Sequence, residues 1–174
     1  MEAAGSPSQR ESRRNSGGDP QAVTEIELIF PETPPARFTL LWNDAPETCA
    51  AVVGALPDRA ECFHAMYSGT VVAFLIDPEV TAPVENATIC IMPGDLLFTH
   101  YDGDFRHGHH DPLSEIYWPY DRYARPTIPG YFVPLAANVF GSYAGSNEEW
   151  TAFAQSSRRV YREGTAELSI RARP

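Results

Sequence analysis

The 174 residues include 43% hydrophobic and 11% aromatic side chains, which is the composition of a globular chain and excludes a wholly disordered or collagen-like one. The formal net charge is −10, which disfavours a nucleic-acid partner because phosphates would be repelled. All 13 basic residues are arginines, so chemistry that requires a lysine amine is excluded.

The length fits one domain, and the first residues differ in composition from the rest. Residues 1–22 are mostly Ser, Gly, Arg, Glu and Gln, with almost nothing to bury, so we predict a disordered tail. Residues 23–174 are predicted to form the folded domain. No stretch reaches the roughly 18 apolar residues that a membrane span requires, so no membrane partner is expected.

The cysteine pattern predicts the redox compartment. Cys49, Cys62 and Cys90 are odd in number, lie in apolar contexts and form no CxxC pair. They are predicted to be buried free thiols of a reducing compartment, which favours a cytoplasmic location.

The first half of the domain begins with strand signals. Residues 24–30 alternate polar and apolar side chains, and residues 37–42 form a second β-type run after a proline-rich turn, which predicts a hairpin. Asp44, with Glu47 three residues later, is predicted to cap a helix that ends at Leu56.

The remaining runs are short and are separated by turn residues. Two further hairpins are predicted, from residues 61–66 with 70–76 and from residues 88–92 with 96–101. Residues 114–120 form another β-type run, and its proline predicts that it is not a central strand. Ser146 and Glu149 predict a capping box for a second helix, and residues 165–170 alternate as a closing strand.

Many short strands with two helices predict a mainly β fold, a closed or nearly closed antiparallel barrel with two short helices. Closure removes the exposed edges that a flat sheet would leave unpaired.

Specific motifs carry a family resemblance. The run LLWNDAPETCAAVVGAL at residues 40–56 resembles the cyclophilin segment in which a strand leads into the first helix. The segments HAMYSG, MPGD, SEIYWPYD and NVFGSY resemble a family of uncharacterised bacterial proteins with a cyclophilin-like barrel. The resemblance implies a barrel with a helix at each end. Proline isomerisation is not expected, because Ala65 stands where active cyclophilins place an arginine after the Phe-His pair.

The candidate site combines polar side chains from several predicted elements. Glu115 and Tyr117 are two residues apart in a predicted strand, so their side chains share a face. A histidine that a carboxylate orients is a typical general base. We predict a catalytic group of His64, Glu115, Tyr117 and Arg122, with ligand-binding residues Tyr67, Ser68, His100, Arg125 and Asn138.

Two functions are consistent with these candidate site residues. The first is binding of a small polar, amide or carboxylate metabolite in a barrel cleft, with or without acid/base or hydrolytic chemistry. The second is a non-catalytic module that forms a homo-oligomer or binds a peptide through the Pro- and Tyr-rich residues 117–131, which would leave Tyr123, Tyr131 and Phe132 facing outward. A purely internal hydrogen-bond network around Glu115 is the alternative to both.

No cofactor is predicted, because no glycine-rich phosphate fingerprint is present. The cluster Asp104, Arg106, His107, His109, His110 and Asp111 contains metal-ligating side-chain types. Its spacing matches no structural zinc pattern, and a solvated loop is the favoured interpretation.

Overall fold

The computed structural model describes residues 19–103, 111–127 and 134–174. Within them the chain forms nine strands and two helices, α1 (Pro46–Ala55) and α2 (Asn147–Glu163). The strands are β1 (Glu25–Ile29), β2 (Ala36–Leu40), β3 (Arg59–His64), β4 (Val71–Ile76), β5 (Ala87–Thr88), β6 (Asp95–Tyr101), β7 (Leu113–Pro119), β8 (Ala137–Tyr143) and β9 (Thr165–Arg173).

Eight of these strands close into an antiparallel barrel. Their order is β2, β1, β9, β3, β4, β7, β6 and β8, and pairing of β8 with β2 completes the ring. The two-residue β5 pairs with β8 outside this ring. The prediction of a mainly β, closed antiparallel barrel with two helices is confirmed.

The barrel interior holds the main hydrophobic core. Alternate side chains of all eight barrel strands point inward, as the period of two requires, and both helices pack against them. Phe153 and Val160 of α2 are fully buried in this core, as are Cys49 and Val52 of α1. Trp118 of β7 lies among them, with its ring against those of Phe30, Phe74 and Phe153.

The two helices begin in different ways. Ser146 and Glu149 form the predicted capping box of α2. The prediction that Asp44 caps α1 is wrong: the N-cap is Ala45, which offers no side-chain acceptor. The carboxylate of Glu85 accepts hydrogen bonds from the Glu47 and Thr48 amides and from the Thr48 hydroxyl instead. Because those amides are orphan donors, a distant residue supplies the cap that the local sequence lacks.

Two strand predictions need correction. Residues 88–92 do not pair with residues 96–101, because β5 is confined to Ala87–Thr88 and pairs with β8. The strand β7 is central, between β4 and β6, although it contains Pro119. The proline is tolerated because it is the last residue of the strand. The other two predicted hairpins, β1 with β2 and β3 with β4, are present.

The start of the domain and the cysteines also differ in detail from the predictions. Pro20–Ala22 form one turn of 3₁₀-helix within the stretch predicted to be a tail, whose residues 1–18 lie outside the described residues. Cys49 and Cys62 are buried free thiols, and burial raises the pKa of each to about 11. Cys90, predicted to be buried, is exposed because it follows the short β5. None of the helices in the described ranges is long and apolar enough to cross a membrane.

Candidate functional site

A second, smaller apolar cluster covers the outer face of the barrel on β4, β7, β6 and β8. Strand register places Phe63, Ala73, Tyr117, Leu97 and Val139 in one row across this face. All five belong to the outer cluster, with Tyr117 only 3% exposed. The predicted shared face of Glu115 and Tyr117 is therefore the outer face, and the barrel interior is filled by apolar side chains.

Polar side chains on this outer face are already paired with one another. The Tyr101 hydroxyl donates to Glu115 at 2.8 Å, and the Tyr117 hydroxyl lies 2.9 Å from the Thr99 hydroxyl. Burial, together with the nearby charge of Glu115, raises the pKa of Tyr117 far above its usual value. Tyr117 is thus a neutral phenol, suited to hydrogen bonding and not to work as a base.

His64 does not lie beside Glu115. In the register of β3, β4 and β7, His64 shares a row with Val72 and Trp118, which face the interior, while Glu115 and Tyr117 face outward. The His64 ring lies 3.1 Å from the Tyr120 hydroxyl and packs against the Tyr161 ring of α2. His64 and Glu115, which were predicted to act together in catalysis, therefore lie on opposite faces of the sheet.

Burial lowers the pKa of His64 below its usual 6.5, so its neutral form is favoured in the folded state. The unfolded chain therefore binds a proton at His64 more readily than the folded chain does. Neutral His64 makes its full contribution to stability above pH 6.5, and this contribution is lost as the pH falls below 6.5. His64→Gln removes this titration and keeps a polar partner for Tyr120. We expect the unfolding midpoint of the variant to fall less than that of the wild type between pH 7.5 and 5.5. Parallel pH profiles in urea titrations of the two chains would contradict this.

His100 forms a Ser-His-Asp arrangement that is unsuited to nucleophilic catalysis. Its Nδ1 lies 2.9 Å from the Ser114 hydroxyl and its Nε2 lies 3.3 Å from Asp102. The Ser114 hydroxyl donates its proton to the Val80 carbonyl and therefore accepts a hydrogen bond from the imidazole. The serine thus offers the imidazole no proton to remove. Ser114 is also fully buried. The group anchors the chain at Val80 to the barrel.

Asn138 is likewise used inside the protein. Its amide nitrogen donates to the Thr48 hydroxyl at 2.9 Å and to the Pro83 carbonyl at 2.7 Å, and its oxygen accepts from the Glu85 amide. This network holds the Glu85 carboxylate at the start of α1. Asn138 therefore positions a helix cap where the sequence predicted a ligand contact.

Three of the predicted ligand-binding residues do come together, at the rim of the barrel. An open groove of about 550 Å³ lies between the turn that joins β3 to β4 and the segment that follows β7; we call it the Tyr67–Tyr123 groove. It is lined by Met66, Tyr67, Gly69, Tyr123, Ala124 and Arg125. Ser68 is buried behind it, and its carbonyl accepts from the Arg125 amide at 3.0 Å.

Hydrogen bonds to backbone carbonyls fix the two walls of the groove to each other. Thr70 donates its hydroxyl to the carbonyls of Asp121 and Arg122, and its own carbonyl accepts from the Tyr120 amide. Together with the bond between Arg125 and Ser68, these contacts tie residues 68–70 to residues 120–125. The groove is therefore pre-formed, which reduces the entropy that a ligand would lose on binding.

Local backbone geometry presents an aromatic ring to solvent. Tyr123 has a φ of 68°, a left-handed conformation that costs a non-glycine residue about 1–2 kcal/mol, and it is 92% exposed. Gly69 opposite has a φ of 78°, and a Cβ there would collide with the Tyr123 carbonyl oxygen. Strain of this kind concentrates at functional positions.

Sequence reasoning missed part of the groove. It did not predict that Met66 and Gly69 line it, and it treated Tyr123 only as an interface residue. The residue that could have indicated the groove is Gly69, because a glycine in a turn allows another segment to approach closely. One sequence does not reveal which segment approaches it. Arg122, predicted to be catalytic, is exposed and does not line the groove.

Several predictions fall outside the described residues. These are the cluster from Asp104 to Asp111, of which only Asp111 is described, and the prediction that Tyr131 and Phe132 face outward. Among the residues that are described, no group of three or more metal-ligating side chains is found.

Residues 34–171 match the family described as "Protein of unknown function (DUF3830)". This chain belongs to that family. The match spans both walls of the groove and all the barrel strands except β1 and the end of β9. No curated protein matches the sequence.

A similar solved structure, that of McbB, supports the fold. The structure of McbB in complex with tryptophan has a TM-score of 0.58 and 21% identity over 84% of this chain. This chain spans 44% of the McbB chain. The solution structure of the hypothetical protein AF2241 from Archaeoglobus fulgidus has a TM-score of 0.48 and 18% identity, covering 86% of this chain and 94% of that one. At such identities the likeness to McbB concerns the barrel alone.

Proposed function

We propose that this domain binds a small molecule that carries a carboxylate and an apolar or aromatic part, in the Tyr67–Tyr123 groove. The observation that carries the proposal is the composition of the groove: two tyrosine rings and a methionine face a single arginine. Aromatic walls favour a flat or apolar group, and a guanidinium favours a carboxylate that it can bind through two hydrogen bonds.

The proposal is binding, without an assigned reaction. None of the described residues that line the groove is a histidine or a carboxylate, so the groove offers no acid/base pair among them. Glu115 accepts a hydrogen bond from Tyr101, and His64 lies on the other face of the sheet. These placements favour a ligand-binding domain over the acid/base enzyme that the sequence also suggested.

Arg125→Ala tests the proposal by calorimetric titration with L-tryptophan, which combines a carboxylate with an aromatic ring and is present in the similar McbB structure. We expect the variant to bind at least about tenfold more weakly, because a hydrogen bond to a charged group contributes roughly 1.5–3 kcal/mol. Tryptamine, which lacks the carboxylate, is expected to bind the wild type no better than tryptophan binds the variant.

Arg171→Ala is the matched control, since Arg171 is an exposed arginine on β9 that does not line the groove. It is expected to bind tryptophan as the wild type does. Equal affinities of the Arg125→Ala variant and the wild type would contradict the proposal.

A second candidate function is self-association through the same surface. Tyr123 is 92% exposed and Met66 79% exposed, which is the outward-facing aromatic surface that an interface would use. In that case a second copy of the chain would cover the groove. Tyr123→Asp would then reduce the oligomer measured by sedimentation, whereas a ligand groove alone predicts the same mass for both chains.

The proposed setting is the reducing cytoplasm. Cys49 and Cys62 are free thiols, and the exposed Cys90 would be prone to oxidation elsewhere.

A further inference from the structure

The second half of α2 carries an unusual concentration of positive charge. Arg158, Arg159 and Arg162 lie within five residues of a chain whose net charge is −10. The buried side of the helix is formed by Phe153, Ser156, Ser157 and Val160, so the three arginines project from the exposed side. They line an open groove of about 360 Å³ together with Thr33, Ala152, Gln155 and Ser156, which we call the α2 arginine groove.

Within the part of the chain that the structure describes, two of the three guanidinium groups have no anionic partner. Arg158 pairs with the carboxylate of Asp121. Arg159 donates to the Ser156 hydroxyl at 2.9 Å, and among the described residues no carboxylate forms an ion pair with Arg159 or Arg162. The side chain of Arg159 is thus held by a neutral group, and no carboxylate in the described ranges pairs with its charge.

The helix itself accounts for only part of this pattern. A cation in the last turn of a helix is favoured by the helix dipole, which explains Arg162. Arg159 and Arg162 are three residues apart and therefore adjacent on the helix surface, where like charges destabilise a helix. A bound anion would remove that repulsion.

We propose that the α2 arginine groove binds the phosphate group of a small phosphate monoester. A monoester carries close to two negative charges at neutral pH, which matches the two uncompensated guanidinium groups; a carboxylate carries one. Guanidinium forks bind phosphate oxygens through paired hydrogen bonds, and the Gln155 side chain adds an amide donor at the groove. The groove shares no residue with the Tyr67–Tyr123 groove, so the two proposals stand independently.

The test is titration of the full chain with glucose 6-phosphate, with inorganic phosphate and with glucose, at constant ionic strength set with sodium chloride. We expect glucose 6-phosphate and phosphate to raise the melting temperature and glucose to leave it unchanged, because a ligand of the native state stabilises it. Arg159→Gln with Arg162→Gln is expected to weaken binding of the ester at least about tenfold. The matched control, Arg59→Gln with Arg171→Gln, removes two exposed arginines, from β3 and β9, that do not line this groove, and it is expected to keep the affinity.

Arg159→Lys with Arg162→Lys separates charge from geometry, because lysine keeps the charge and loses the fork. This variant is expected to bind more weakly than the wild type and more tightly than the glutamine variant. Binding of the ester that survives the glutamine substitutions, or a response to inorganic phosphate without one to the ester, would overturn the proposal. The absence of any response to either phosphate compound would do the same.

Discussion

Trp118→Ala is expected to destabilise the protein by about 3–5 kcal/mol, the usual cost of truncating a fully buried tryptophan. The indole is 0% exposed and lies where β7 meets α2. Its rings contact Phe30, Phe74 and Phe153, so the alanine variant would leave a cavity bordered by three aromatic side chains. It would also remove the hydrogen bond from the indole nitrogen to Ser157 at 2.9 Å.

Urea denaturation measures this effect as a lower midpoint with an unchanged slope. Trp150→Ala is the matched control, because Trp150 is only partly buried at the edge of the same aromatic cluster. We expect it to cost clearly less than Trp118→Ala. A larger cost for Trp150→Ala would mean that Trp118 is not the centre of the core.

Gly69→Ala is expected to have the second largest effect, on both stability and binding. The residue has a positive φ, and the added Cβ would collide with the Tyr123 carbonyl oxygen, which belongs to backbone and cannot rotate away. Relief of the collision requires the segment that contains Tyr123 to move away from the turn. Because those two elements form the walls of the Tyr67–Tyr123 groove, we expect binding of L-tryptophan to be lost.

Gly164→Ala separates the two causes of destabilisation. Gly164 also has a positive φ, of 91°, but a Cβ there would meet nothing within 4 Å. It should cost only the conformational penalty of about 1–3 kcal/mol for a side chain in a sparsely populated backbone region. Gly69→Ala should cost about 1–3 kcal/mol more, the range for overpacking a well-packed site. Equal midpoints in urea for the two variants would show that the turn and the segment are not in contact as described.

Local patterns predicted much of the fold. Alternation identified β1, β-type composition and turn residues identified the other strands of the two confirmed hairpins, and Ser146 with Glu149 marked the start of α2. These signals lie within a few residues of the elements they specify, so one sequence contains them in full. Closure of the barrel followed from the number of short strands and from the family resemblance.

The errors share a long-range cause. The cap of α1 comes from Glu85, 37 residues beyond the amide of Thr48 that it accepts from, and no local pattern points to it. Residues 88–92 read as half of a hairpin, yet β5 pairs with β8, about fifty residues later. In both cases the hydrogen-bond partner comes from a distant segment and not from the neighbouring residues that the sequence suggested.

The candidate site was predicted in part for the same reason. The period of two correctly placed Glu115 and Tyr117 on one face, since that relation is local. It did not reveal that His64 faces the other side, because this depends on the register of three strands. Tyr67 and Arg125 do meet in one groove, through hydrogen bonds between a turn and a segment more than fifty residues apart.

The most direct test of the binding proposal is an amide chemical-shift titration of the ¹⁵N-labelled protein with L-tryptophan. We predict that the largest saturable shifts fall on residues 65–70 and 120–125, the two walls of the Tyr67–Tyr123 groove, and that Arg125→Ala removes them. Saturable shifts confined to other parts of the barrel, or none at millimolar tryptophan, would contradict the assignment of this groove as the ligand site.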